Sequence, residues 1–216
     1  MPVLQQIAYF QNRRDEVPNQ QLAQALAAQQ YVAGIQEIAQ NLWHENPAVQ
    51  SDCLKVLYEI GYLNPALIAD YVDDFLKLTH SKNNRLVWGS MIALATIAPL
   101  KADVIAAQLD DLVQLMAQGS VITRDNGMKA LAGAAASHPD HNALIFPFLL
   151  QQLATCRPKE VGQYAEAVVA AVNGENKDAF VAVLNKRMMD LSPAQMTRVR
   201  KVLKEVEKRA VNSAQS

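Results

Sequence analysis

The sequence predicts an all-α fold, an α-solenoid built from antiparallel helix pairs, and three observations predict it. Ala, Leu, Val and Gln are abundant while aromatic residues make up only 6% of the chain, a composition that favours helix over hairpins. Apolar residues recur at steps of three and four within segments of about 15 residues, which is the pattern of one buried helical face. These segments repeat along the chain, and repeated helix pairs form solenoids.

The repeat is visible in two stretches that lie 37 residues apart, ALIADYVDDFLKL from Ala66 and DVIAAQLDDLVQL from Asp103. Both contain an Ile-Ala dipeptide followed by two adjacent carboxylates. The same offset aligns Asn46, Asn83 and Ser120 at turns that precede helices. Each repeat is expected to contain a first and a second helix, and the same offset aligns apolar residues in both. The aligned sets are Leu54, Met91, Met128; Leu57, Leu94, Leu131; and Ile60, Ile97, Ala134 in the second helices, and Val72, Leu109, Phe146; and Phe75, Leu112, Leu149 in the first helices.

The pattern predicts a single domain over residues 1–210, with N-terminal cap helices in 1–30 and a frayed tail at 211–216. Repeats are predicted near 31–63, 64–100, 101–138, 139–174 and 175–210. The cap helices are expected near 3–12 and 19–29, and the repeats are expected to contain helix pairs at 31–44/48–61, 65–79/84–98, 102–118/121–136, 140–155/158–172 and 176–189/193–209. Pro147 lies inside a helical segment, and it is expected to kink or break that helix.

Two second-helix segments carry a family resemblance. NPAVQSDCLKVLYEIG and TRDNGMKALAGAAA resemble the second helix of a HEAT repeat, with Arg124 at the family's Arg position and Gln50 and Val87 at the equivalent positions of other units. The resemblance covers about 180 residues. It implies an armadillo-type solenoid whose first helices face outward and whose second helices line a concave surface where ligands usually bind.

The adjacent carboxylates, Asp73-Asp74 and Asp110-Asp111, are candidates for a metal site or for paired catalytic acids. Equivalent residues of stacked helix pairs lie about 8–10 Å apart. Metal ligands must approach an ion to within about 2–2.6 Å, so the two pairs cannot share one ion in a regular stack. They are interpreted as a solvated acidic stripe on the outward helices, with a partner-facing acidic patch as the alternative.

The second-helix register identifies a candidate binding surface. One column contains Ser51, Trp88, Asp125 and Gly162, and another, one turn further on, contains Lys55, Ile92, Lys129 and Glu166. Trp88 and Ile92 interrupt an otherwise polar or small-residue face, which is typical of a recognition anchor; the alternative is that Trp88 packs between repeats. The predicted partner-binding set on the concave face is Arg85, Trp88, Ile92, Asp125, Asn126, Lys129, Gln163 and Tyr164.

Motifs for catalysis or for cofactor binding are sparse. The two cysteines have no metal-binding spacing, the four histidines lie in or beside turns, and no phosphate loop, nucleophile elbow or zinc-protease pattern occurs. No catalytic residue, metal or cofactor is therefore predicted. The absence of a secretory signal, of an apolar run long enough to span a bilayer and of a disulfide framework predicts a cytoplasmic protein without a membrane partner.

Charge is unevenly distributed although the net charge is only −1. Residues 183–216 contain three acids against eight basic residues: Lys186, Arg187, Arg198, Arg200, Lys201, Lys204, Lys208 and Arg209. This C-terminal segment is interpreted as a solvated basic helix. The alternative is a docking surface for an acidic partner or a phosphate backbone, so nucleic acid remains a less favoured partner.

The hypothesis for function is a non-enzymatic HEAT-like scaffold that binds a protein or peptide partner through its concave face. One alternative is an enzyme similar to alkylpurine DNA glycosylases, which have a HEAT-like fold and use aromatic and acidic residues in a basic groove. Trp88, Asp125 and the basic C-terminus favour that resemblance, whereas the overall charge and the lack of an acid four residues after Trp88 do not. Another alternative is an accessory subunit resembling the HEAT-like modules of bilin lyases, although no residue identifies a tetrapyrrole site.

Overall fold

A computed structural model describes residues 2–213, with side chains described for residues 2–209. Over this range the chain is helical and contains no strand. Its α-helices are α1 (Val17–Gln29), α2 (Val32–Gln40), α3 (Pro47–Leu63), α4 (Val72–Leu78), α5 (Asn84–Ile97), α6 (Ala102–Ala107), α7 (Leu109–Gln118), α8 (Val121–Ala135), α9 (Pro139–Thr155), α10 (Pro158–Val168), α11 (Lys177–Arg187) and α12 (Pro193–Ser213).

The chain divides into two compact units. Unit 1 comprises residues 1–130 and unit 2 comprises residues 131–216. In unit 1, α3 packs between α1 and α5, and α4 packs against α5. In unit 2, α9 packs against α11, and α10 packs against α12. Both units therefore consist of packed helices of the kind that the periodicity predicts.

The predicted apolar columns form the core. Leu57, Leu94 and Leu131 are fully buried, and the columns that begin at Leu54, Ile60 and Phe75 are buried at every position. One position differs, since Leu109 is only partly buried where Val72 and Phe146 are buried. The 37-residue register is therefore the register of the core, and each helix turns the predicted face inward.

The predicted turn residues cap helices. Asn46 Oδ1 accepts a hydrogen bond from the Ala48 backbone N–H at 2.9 Å. Asn83 Oδ1 accepts from Arg85 at the same distance. Ser120 Oγ accepts from the Thr123 N–H at 3.2 Å. These side chains satisfy backbone donors that have no partner within the first turn of a helix.

The predicted helix over 3–12 is wrong. A 3₁₀ helix covers Val3–Gln6, turns follow, and Asn12 adopts a left-handed conformation with φ of 53°. Side chains from other elements accept from backbone donors that a helix would have paired internally: Asn19 Oδ1 accepts from the Ala8 N–H at 2.8 Å, and Asp52 Oδ2 accepts from the Tyr9 N–H at 2.7 Å. Tertiary contacts therefore replace the helical ladder in this segment.

The first helices of two repeats are less regular than predicted. The segment expected as one helix over 65–79 contains 3₁₀ helices at Pro65–Leu67 and Ala69–Tyr71 before α4 begins. The segment expected over 102–118 is divided at Gln108 into α6 and α7. Apolar periodicity continues across both interruptions, and for that reason it did not reveal them.

Pro147 does not break its helix, since α9 continues through it, and the kink expected there stays a prediction. Pro147 and Ala143, whose carbonyl loses its helical donor, are both exposed. The unpaired carbonyl therefore lies on the solvent side, where the loss of one helical hydrogen bond is least costly.

The tail predicted at 211–216 lies only partly within the described residues. The backbone is helical to Ser213, the end of α12, and residues 214–216 lie outside the described range, so the frayed tail stays a prediction. Within the described part of the chain, no helix combines the length and the apolar character that crossing a membrane requires.

Candidate functional site: a groove beside Trp88

A groove with a volume of about 410 Å³ lies in unit 1 between the N-terminal segment (residues 2–16), α3 and α5. It combines aromatic and charged side chains. Its lining includes Tyr9, Arg13, Arg14, Asp15, Glu16, Asp52, Lys55, Tyr58, Arg85 and Trp88.

The N-terminal segment forms one wall because α3 binds its backbone. The Tyr9 N–H donates to Asp52 Oδ2 at 2.7 Å, and Asn19 Nδ2 donates to the other oxygen of the same carboxylate at 2.9 Å. Asn19 Oδ1 in turn accepts from the Ala8 N–H at 2.8 Å, in a buried position. Asp52 and Asn19 therefore hold the segment against α3, with residues 13–16 at the edge of the groove.

Lys55 lies on α3 in the floor of the groove and is buried, with 9% of its surface exposed. Its ammonium group donates to Glu16 Oε2 at 2.8 Å and to Glu59 Oε1 at 2.7 Å, and it lies 4.8 Å from the ring centroid of Tyr58. Burial lowers the pKa of Lys55, but hydrogen bonds to Glu16 and Glu59 outweigh burial and raise the pKa above its ordinary value. Lys55 is therefore a structural cation, held by Glu16 and Glu59 and in contact with the Tyr58 ring.

Trp88 and Tyr58 form the aromatic part of the groove. Their ring centroids lie 6.5 Å apart with planes inclined by 55°, within the range of favourable aromatic pairs. Burial raises the pKa of Tyr58 to about 12 against the opposing effect of Lys55, so the hydroxyl stays protonated at neutral pH. Trp88 is partly exposed: it packs against a neighbouring helix and also lines the groove. The two interpretations of Trp88 are therefore compatible.

Some hydrogen-bond donors of the groove have acceptors within the protein, and others have none. Arg13 Nε donates to Asp15 Oδ2 at 2.8 Å. The side chains of Arg14 and Arg85 are exposed and have no hydrogen-bond or ion-pair partner among the described residues. Within the same range, the indole N–H of Trp88 also has no acceptor. The groove therefore presents unused donors beside an aromatic surface.

The structure brings only two of the eight predicted partner-binding residues, Arg85 and Trp88, into this groove. Ile92 is buried, with 8% of its surface exposed, so it presents little surface to a partner. Asn126 is also buried and donates from Nδ2 to the Ile122 carbonyl at 2.9 Å, which is a local use of its amide. Both side chains serve the helix packing of unit 1.

Asp125 and Lys129, the other predicted residues of unit 1, lie on α8 and do not line the groove. Lys129 is exposed, while Asp125 is partly buried and its Oδ1 atom lacks a hydrogen-bond partner among the described residues. The comparison with DNA glycosylases depends on a site that combines Trp88 with Asp125. The groove that contains Trp88 does not include Asp125.

Gln163 and Tyr164, the remaining predicted residues, belong to α10 of unit 2. Gln163 is partly exposed, whereas Tyr164 is buried with 3% of its surface exposed. The prediction of a binding role for Tyr164 therefore conflicts with its position in the core of its unit.

Sequence reasoning missed Arg14, Tyr58 and the N-terminal wall. The charged run Arg13-Arg14-Asp15-Glu16 was a usable signal, since four consecutive charged residues are unusual inside a predicted cap. Tyr58 follows Lys55 by three residues and shares its helical face, so it could have been assigned to the same surface.

The acidic pairs on the first helices do not form a metal site. Asp74 Oδ1 accepts from Trp43 Nε1, and Asp111 Oδ2 lies 3.0 Å from His80 Nε2, while Asp73 and Asp110 are exposed. Among the described residues, no group of three or more His, Cys, Asp or Glu side chains is placed to hold a metal ion. One carboxylate of each pair thus faces solvent as predicted, and the other bonds to the preceding repeat.

Part of the basic C-terminal charge is structural. Arg187 is buried and donates to the carbonyls of Leu153 and Cys156 at 2.9 and 2.7 Å. Arg198 binds both carboxylate oxygens of Glu166 at 2.6 and 2.5 Å, and this hydrogen bonding lowers the pKa of Glu166. These cations stabilise unit 2, and they reduce the charge that remains available for a phosphate backbone.

Comparison with solved structures supports the fold. The chain is similar to a designed armadillo repeat protein in complex with the peptide (KR)4, with a TM-score of 0.67, 15% identity, and 94% of this chain and 97% of that chain covered. It is also similar to an engineered protein, with a TM-score of 0.64, 19% identity, and 96% and 98% coverage. No protein-family model matches the chain, and no curated protein matches it significantly. At these identities the likeness shows the fold alone: an armadillo/HEAT-type helical-repeat solenoid.

Proposed function

We propose that this protein is a non-enzymatic scaffold that binds a segment of a protein or peptide partner in the groove of unit 1. The observation that carries the proposal is the position of Trp88. It is partly exposed, packs against Tyr58 and lines a groove that also contains two unpaired arginines. Trp, Tyr and Arg are the residues that most often dominate binding energy at protein interfaces.

Two titratable groups of the groove, Lys55 and Tyr58, are unsuited to act as a general base. The pKa of Lys55 is raised, and that of Tyr58 is raised to about 12, so both stay protonated at neutral pH. A general base needs a pKa near the working pH. Neither group meets that requirement, and both already take part in packing or ion pairing.

The fold is compatible with a peptide ligand. One solved structure with a similar fold is that of a designed armadillo repeat protein in complex with a peptide. The similarity extends over most of both chains, and it supports the kind of ligand proposed for this groove without identifying one. The free cysteines, Cys53 and Cys156, are consistent with the cytoplasmic location that we propose for the protein.

The proposal is tested by selecting binders from a random library of short peptides displayed on phage, with wild type, Trp88→Ala and Trp43→Ala as targets. Trp43 is the matched control because it is the other tryptophan of the chain, is exposed and lies outside the groove. We expect peptides that bind wild type and Trp43→Ala but lose about tenfold or more of their affinity for Trp88→Ala. Failure to select any peptide whose binding depends on Trp88 would refute the proposal.

A further inference from the structure

Each of the three carboxylates in the groove already has at least one donor within the protein. Asp52 accepts from the Tyr9 N–H and from the Asn19 amide. Asp15 accepts from Arg13 and from the Val17 N–H, and Glu16 accepts from Lys55. A basic ligand would therefore compete with these internal donors for carboxylates whose charge is already partly neutralised.

Three donor groups of the groove, by contrast, have no acceptor within the described part of the protein. The guanidinium groups of Arg14 and Arg85 and the indole N–H of Trp88 line the same groove, and none has an acceptor within the described residues. Arg85 precedes Trp88 by three residues on α5, so the two side chains lie on one helical face. An unused guanidinium group presents a planar set of donors that fits a carboxylate in a bidentate geometry.

These donors lack acceptors, whereas the carboxylates of the groove have donors within the protein. We therefore infer that the groove recognises an acidic peptide segment, in which Asp or Glu side chains bind Arg14 and Arg85 and a neighbouring apolar or aromatic side chain packs on Trp88 and Tyr58. The inference rests on the proposed function, because it names the chemistry of the partner for the same groove. Arg14 comes from the N-terminal wall and Arg85 from α5, so a ligand that bridges them contacts both sides of the groove.

A continuous polyanion fits this groove less well than a short acidic peptide. The lining contains the carboxylates of Asp15, Glu16 and Asp52 as well as its cations. Single-stranded nucleic acid requires a positively charged track that follows successive phosphates. A peptide with one or two acidic side chains can bind two arginines without bringing a negative charge to every part of the groove.

The test uses the full-length protein and synthetic peptides whose termini are acetylated and amidated, so that only side chains carry charge. Three peptide sets share one aromatic-containing framework and differ by Glu, Gln or Lys at the variable positions, and a single-stranded oligothymidylate is titrated in parallel. Affinities are measured by fluorescence anisotropy for wild type, Arg14→Gln, Arg85→Gln, Trp88→Ala and Lys82→Gln. Lys82→Gln is the matched control because it removes an exposed positive charge of unit 1 outside the groove.

We expect the Glu set to bind more tightly than the Gln and Lys sets, with affinity falling as salt rises. We expect Arg14→Gln and Arg85→Gln each to weaken Glu-peptide binding by about tenfold, whereas Lys82→Gln leaves it unchanged. Trp88-dependent binding without preference for Glu would overturn this inference and leave the proposed function intact. Trp88-dependent binding of the oligothymidylate that is tighter than that of any peptide would overturn the inference in favour of nucleic acid. Absence of any Trp88-dependent peptide binding would overturn both proposals.

Discussion

Trp43 donates its indole N–H to Asp74 Oδ1 at 3.0 Å, and 37 residues later His80 Nε2 lies 3.0 Å from Asp111 Oδ2. Trp43 and His80 occupy the same position of successive repeats, and so do Asp74 and Asp111. The second carboxylate of each acidic pair therefore joins its helix to the end of the preceding first helix. The recurrence of the second carboxylate is explained by a repeated inter-helix contact, without a catalytic or metal-binding role.

This relationship separates two adjacent aspartates that look equivalent in sequence. We expect Asp74→Ala to lower the free energy of unfolding by about 1 kcal/mol, because it removes the acceptor of the Trp43 indole N–H. Asp73→Ala should change it by less than about 0.5 kcal/mol, since Asp73 is exposed and has no partner among the described residues. Urea denaturation followed by circular dichroism measures both variants. Equal effects of the two substitutions would contradict the role given to Asp74.

The core was predictable from the sequence because the repeat supplies the same information several times. Leu57, Leu94 and Leu131 each identify a buried face, and their common offset confirms the register that any one of them suggests. Helical periodicity of 3.6 residues is a local signal, so it was sufficient to predict the buried face of each second helix.

The groove was not predictable in the same way because its N-terminal wall is not a repeat. The contacts that form it join Tyr9 to Asp52 and Glu16 to Lys55, across separations of 43 and 39 residues. Neither pairing recurs elsewhere in the chain as a column, and backbone-to-carboxylate bonds leave no pattern in a sequence. Trp88 could be predicted because it interrupts a column of polar or small residues in the repeat, whereas Arg14 belongs to no repeated column.

Lys55 and Lys129 occupy equivalent positions two repeats apart but differ in environment. Lys55 is buried between Glu16 and Glu59, whereas Lys129 is exposed. We expect Lys55→Ala to lower the free energy of unfolding by about 2 kcal/mol or more, because it leaves two carboxylates close together without their cation. Lys129→Ala should cost less than about 0.5 kcal/mol. Comparison of the two denaturation curves checks this, and a Lys55→Ala cost as small as that of Lys129→Ala would show that the ion pairs contribute little.

The two cysteines should differ in reactivity. Burial, with a contribution from Asp52 and Glu37, raises the pKa of Cys53 to about 12, and its side chain is fully buried. Burial also raises the pKa of Cys156, but Arg187 opposes the shift and the residue is partly exposed. Because the thiolate is the reactive form, we expect iodoacetamide at pH 8 to alkylate Cys156 first and to leave Cys53 unmodified in the folded protein.

Peptide mass spectrometry of the alkylated protein distinguishes the two sites. In concentrated guanidinium chloride the two rates should become similar, since unfolding removes the environments that separate them. Alkylation of native Cys53 as fast as that of Cys156 would contradict its position in the core.

Alkaline pH should destabilise the folded protein, since several groups, among them Cys53, Tyr58 and Lys55, have a higher pKa in the native state than in the unfolded chain. The pKa of Cys53 is raised from 9.0 to about 12, that of Tyr58 from 10.0 to about 12, and that of Lys55 to above 10.5. Above about pH 9 the unfolded chain begins to lose protons that the native state retains, so native stability falls as pH rises. For Cys53 alone, the loss of free energy of unfolding amounts to about 2 kcal/mol at pH 10.5.

We expect the urea midpoint to be constant between pH 7 and 8.5 and to fall above about pH 9 in the presence of a reductant. The Cys53→Ala variant, compared with itself at pH 8 and 10.5, should lose less stability than wild type over the same interval; parallel losses in the two proteins would show that this thiol is not a source of the alkaline sensitivity.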